Sequence, residues 1–83
     1  MEYILVFGSP HKALKAESIL KGASIPFRLL PAPKLLVRFC DLVISVTASE
    51  LEVSKEALAD AGLKLKAVYS VVYSKEGEEY DKV

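Results

Sequence analysis

Apolar and polar positions along the chain change period several times, and each change marks an element. Tyr3-Ile4-Leu5-Val6-Phe7 is an unbroken β-branched and aromatic run that Gly8 stops, which predicts a first strand. Ser9 then stands where a helix N-cap belongs, with Pro10 at the first helical position. The helix it opens runs to about Lys21, is ended by Gly22, and has Ala13, Ala16, Leu20 and Ala23 on its inner stripe with Ile19 on the flank. Pro26-Phe27-Arg28-Leu29-Leu30 is a short second strand whose leading proline suits an edge. Residues 31–39 form a connector, and Cys40–Val46 is a third, strongly strand-like run. Thr47-Ala48-Ser49-Glu50 has the spacing of a capping box. The second helix that follows carries Leu51, Ser54, Leu58 and Ala61 on one face and closes at Gly62. Leu65–Tyr73 is the fourth strand.

The order β-α-β-β-α-β predicts an α+β, ferredoxin-like two-layer sandwich: a four-stranded antiparallel sheet in the order 4-1-3-2 with both helices on one face. The first and third strands, the most apolar, belong at its centre. Alternation puts Cys40, Leu42, Ile44 and Val46 on the helix side, and Asp41, Val43, Ser45 and Thr47 on the other. The first strand has no polar side at all. A wet, greasy helix-free face is therefore expected in a monomer, with either Val68 and Val72 or Tyr69, Val71 and Tyr73 of the fourth strand added to it. That predicts a homodimer packed sheet to sheet or edge to edge.

Composition sharpens the domain picture. Eighty-three residues, 52% of them hydrophobic, make one small domain with little interior volume. The formal charge is zero but uneven: residues 1–74 hold nine basic and seven acidic side chains, whereas residues 75–83 hold two and four. The domain is thus assigned to residues 1–74, and residues 75–83 read as an acidic, solvated and frayed tail. Neutrality argues against nucleic-acid binding. No segment has transmembrane length and no signal peptide is visible, so no membrane partner is expected and the cytoplasm is the expected compartment.

Candidate chemistry centres on Cys40, the only cysteine, which can form neither an internal disulfide nor a metal-binding pair. No metal site or cofactor is expected. Cys40 reads either as a thiolate that carries sulfur or selenium, or as an inert core cysteine. Lys34 and Arg38 precede it and Arg28 lies on the neighbouring strand; this basic trio reads as an anionic-ligand site or as solubilising charge. Asp41 opposes thiol ionisation. Ser9 and His11, at the first turn of the first helix, form a possible anion site or a plain solvated surface. With the first and third strands taken as parallel, Cys40 and His11 fall at opposite ends of the sheet, about 20 Å apart, too far to form a pair. No positioned acid–base pair emerges, so a stand-alone enzyme is not expected.

The run Phe7-Gly8-Ser9-Pro10-His11-Lys12-Ala13-Leu14-Lys15-Ala16-Glu17 resembles the strand-to-helix entry of a small bacterial family of Se/S carrier-like proteins. That family shows Ser-Thr-His before an Ala-Leu-Lys-Ala-Glu helix, then a Pro-x-Pro-Arg connector and a Ser-x-x-Cys-Gly segment. Here Pro31-Ala32-Pro33-Lys34 occupies the connector and Cys40 the cysteine, and the likeness runs over roughly residues 2–73. Pro10 stands for the threonine, Lys34 for the arginine, Val37 for the serine and Asp41 for the glycine. The resemblance implies a sulfur or selenium carrier with Cys40 as acceptor, Lys34 and Arg38 as its anion-stabilising neighbours, and donor or acceptor proteins as partners. The rival expectation is a non-catalytic module that binds a small ligand or a protein and keeps Cys40 as a structural residue.

Overall fold

The computed structural model describes residues 1–34 and 41–83. The elements are β1 (Glu2–Val6), α1 (Pro10–Gly22), β2 (Arg28–Pro31), β3 (Leu42–Thr47), α2 (Ala48–Asp60), β4 (Ala67–Ser74) and β5 (Gly77–Lys82). All strands pair antiparallel in one sheet of order β2-β3-β1-β4-β5. The expected four-stranded sheet of order 4-1-3-2 is therefore corrected to five strands, with β4 internal instead of at an edge. The fifth comes from the acidic stretch whose composition suggests a frayed tail. Ser74 and Gly77 close a two-residue hairpin, Gly77 supplies a φ of 119°, and the Ser74 hydroxyl braces the turn by donating to the Gly77 carbonyl. Charge pattern alone does not reveal that β4 can template another strand.

The second correction concerns direction. β1 and β3 are antiparallel, with Val6 opposite Val43 and Glu2 opposite Thr47. The start of β3 thus lies beside the end of β1, at the end of the sheet from which α1 departs. The parallel arrangement, which is at odds with the antiparallel sheet expected from the element order, does not hold, and the opposite-ends separation expected for Cys40 and His11 loses its premise. Cys40 itself lies outside the described residues, as does Arg38.

Both helices pack on one face. Leu5 and Phe7 of the first strand segment meet Ala13, Ala16 and Leu20 of α1, Leu51 and Leu58 of α2, and Ile44 and Val46 of β3 in one core. Ala13 and Ala16 are fully buried, and their short side chains let α1 lie close to the sheet. The inner face of α2 is Leu51, Ser54 and Leu58; Ala61, like Ala23 of the first stripe, is exposed. Ser54 is buried with no hydrogen-bond partner for its hydroxyl among the described residues, so it contributes small size at that position and not polarity.

The helix ends show how local chemistry differs from pattern. Ser9 caps α1, its hydroxyl accepting from the Lys12 N–H at 3.3 Å. Thr47 is the N-cap of α2 but makes no side-chain cap bond, so the expected capping box is not formed. At the C-terminus of α2, Gly62 takes the left-handed conformation and Leu63 N–H reaches back to the Leu58 carbonyl. α1 ends the same way, but there Ser24, not Gly22, is left-handed, with Ile25 N–H bonded to Leu20 O.

On the other face Ile4, Val6, Val43 and Val71 are buried, packed with Leu30, Ala32, Ala67, Tyr69 and Tyr80. Tyr69 and Val71 thus join this face, whereas Val68 packs into the helix-side core. The centre of this face is closed in the single chain, against the expectation of a wet apolar surface.

Candidate functional site

The β registers divide the sequence-predicted site residues between two ends of the sheet. At one end are Ser9 and His11, where α1 leaves β1, together with the first residues of β3. His11 is exposed and Ser9 partly so. Pro31 of β2 faces Leu42 of β3, and beyond that pair Ala32 N–H donates to the Asp41 carbonyl at 2.9 Å. This bond closes the base of the β2–β3 connection. Lys34 follows on that connection and is exposed. Asp41 is also exposed. The described residues flanking Cys40 in the chain are thus drawn to the end of the sheet that carries the α1 N-terminus.

Arg28 goes elsewhere. It opens β2 opposite Ser45, three positions along β3 from Leu42, or about 10 Å away at the strand rise. Arg28 and Lys34 therefore flank β2 from opposite ends. Arg28 joins a polar cluster that sequence reading missed. Glu2, at the start of β1, accepts from the Ser45 hydroxyl, from the Tyr73 hydroxyl and from the Arg28 guanidinium, the last at 3.2 Å. Four strands supply one residue each. The cluster lines an open cleft of about 730 Å³ whose apolar walls include Phe27, Val46 and Val71. Its sequence signal is faint: one acid ahead of an apolar strand, and one serine inside another. Only the register brings them together.

Donation from Ser45, then from Tyr73, holds the Glu2 carboxyl below the ordinary carboxylate range; partial burial opposes this and Arg28 assists it. The sign follows from linkage. A carboxyl with a lowered folded-state pKa binds protons more readily when unfolded, so its stabilisation is complete above the ordinary carboxylate pKa and drains as pH falls through the folded value. Thermal melts of Glu2→Gln are therefore expected to lose less stability than wild type on acidification from neutral pH to about 3. Equal losses would show that Glu2 is not stabilised in its ionised form. On the same face Tyr80 donates to Glu78, and burial, followed by that carboxylate, pushes its phenol up to about 12.

Among the described residues no cluster of three or more His, Cys, Asp or Glu side chains is placed to hold a metal ion. No described helix is long and apolar enough to cross a membrane. Comparison with known proteins adds one finding: the family model described as Putative Se/S carrier protein-like matches residues 2–70. No curated protein and no solved structure matches the chain.

Proposed function

The chain belongs to the Se/S carrier protein-like family, and from that premise we propose that it carries a sulfur or selenium atom on the thiol of Cys40. The observation that carries this reading is the family match over residues 2–70, a span that includes the chain's only cysteine. In the sulfur case the Cys40 thiolate attacks the outer sulfur of a persulfide on a donor protein. A new S–S bond forms at Cys40, the donor's S–S bond breaks, and the donor leaves as a thiolate, with no net oxidation. Attack by an acceptor thiolate on the outer sulfur repeats the exchange and regenerates Cys40.

Such a thiol works as its thiolate, and cations and helix N-termini favour that form. Lys34 and Arg38 are the cations nearest in sequence, with Asp41 acting against them. The antiparallel β1–β3 register supports a further contribution: Leu42, two residues after Cys40, begins β3 at the end of the sheet where α1 starts with Ser9 and His11. A reducing compartment such as the cytoplasm would keep this lone thiol free.

Alkylation kinetics test the reading. Cys40 of the folded protein is expected to react at neutral pH with an apparent pKa below about 8.5, the value of a free thiol. A thiol that reacts only after denaturation would overturn it. That result would favour the second reading, a small-ligand-binding module with a structural cysteine, for which the cleft at Glu2, Arg28, Ser45 and Tyr73 is the supporting observation.

A further inference from the structure

Among the described residues the sheet ends at β5. Val83 N–H donates to Val68 O, so residues 77, 79, 81 and 83 turn their backbone groups toward β4. Alternation then turns the N–H and C=O groups of Glu78, Tyr80 and Lys82 outward, along the free edge. Their side chains share the helix-free face: Tyr80 packs on the Ile4–Val6–Val43–Val71 cluster and donates to Glu78, and Lys82 follows by period two. Glu79 and Asp81 occupy the opposite face.

We propose that two copies of the chain associate by antiparallel pairing of β5 with β5, centred on Tyr80, to make one continuous sheet. In this register Tyr80 lies against the partner's Tyr80, and Glu78 against the partner's Lys82. The two-fold axis repeats the Glu78–Lys82 contact in reverse. The outward backbone groups of residues 78, 80 and 82 all find partners. The interface is isologous, as a closed dimer requires. On the opposite face Glu79 meets the partner's Asp81, and this like-charge contact acts against the attraction and keeps the association reversible.

Other surfaces are poorer candidates. The helix-free face is already closed at its centre by Leu30, Tyr69 and Tyr80. The β2 edge has four residues and ends in Pro31, which has no N–H to offer. This inference does not depend on the chemistry of Cys40.

Sedimentation of the full chain, paired with amide hydrogen exchange, tests it. Wild type is expected to dimerise with rising concentration. Glu78→Lys and Lys82→Glu each turn two attractive contacts into repulsive ones and are expected to weaken the dimer about tenfold. The double variant is expected to restore it, because the pair is only exchanged. Asp81→Lys, which turns the repulsive contacts attractive, is expected to tighten it to a similar extent. The amides of residues 78, 80 and 82 are expected to gain protection as the dimer forms, while those of 79 and 81 are protected at every concentration, which also shows that β5 stays folded in each variant. The proposal is overturned if wild type and Asp81→Lys are both monomeric at millimolar concentration. It is equally overturned if a dimer forms with an affinity indifferent to these charges and leaves the Tyr80 amide unprotected.

Discussion

Replacing Phe7 by alanine is expected to destabilise the protein by about 3–5 kcal/mol, more than truncation of any other buried side chain among the described residues. Phe7 has no exposed surface and is the largest of the fully buried side chains among the described residues. It sits just past β1, where the chain turns through Gly8 and Ser9 into α1, and it packs in the core shared by both helices and the sheet. Alanine removes the ring and leaves a cavity in the core that both helices and the sheet share, where close packing limits collapse. Small domains have stabilities of about 5–15 kcal/mol, so much of the total is at stake. The thermal midpoint is expected to fall by at least about 12 °C. Leu14→Ala serves as the control: that side chain is exposed on α1, and its loss is expected to change stability by less than about 0.5 kcal/mol. Comparable shifts for the two variants in thermal or denaturant melts would contradict the assigned core.

The helix faces are legible from spacing because small and large apolar residues recur at the helical period. Ala13, Ala16, Leu20, Leu51 and Leu58 are all buried as that period predicts. Strand faces are legible for the same reason at period two: Leu42, Ile44 and Val46 pack on the helix side, while Val43 is buried with Ile4 and Val6 on the other. Strand direction is not legible in this way. Periodicity is blind to whether β3 runs with or against β1; only connectivity decides it, and the β2–β3 hairpin reverses the chain before β3 pairs with β1. β5 escapes a pattern reading because its residues are charged and its only apolar anchor is Tyr80. The energy that orders it comes from pairing with β4, which no local pattern displays.

The same distinction governs the candidate sites. Ser9 is identifiable because N-capping is a local matter, settled within three residues. Thr47 carries the same local signature and makes no side-chain cap, so a cap motif fixes where a helix begins more firmly than which hydroxyl bonds. Glu2, Ser45, Tyr73 and Arg28 meet through registers across four strands, and nothing near any of them in the sequence points to the others. Lys34 and Arg28, six residues apart, read as neighbours but flank a strand from opposite ends.

The second large effect concerns Cys40. Every step of the proposed exchange passes through its sulfur, so Cys40→Ser is expected to abolish loading outright and not merely slow it. An oxygen in that place cannot form the S–S or S–Se bond that holds the cargo. The fold should be indifferent to the change if the thiol is functional, and the melting behaviour of Cys40→Ser is expected to match wild type. The direct measurement is intact mass after incubation with a persulfide (R–S–SH) or perselenide (R–S–SeH) donor, whose outer atom moves to Cys40 as the donor leaves as a thiolate, wild type beside Cys40→Ser. The account predicts that wild type gains the mass of one sulfur or selenium atom, that the gain is reversed by a thiol, and that Cys40→Ser gains nothing. An unchanged wild-type mass across both classes of donor, or an adduct that persists in Cys40→Ser, would contradict it.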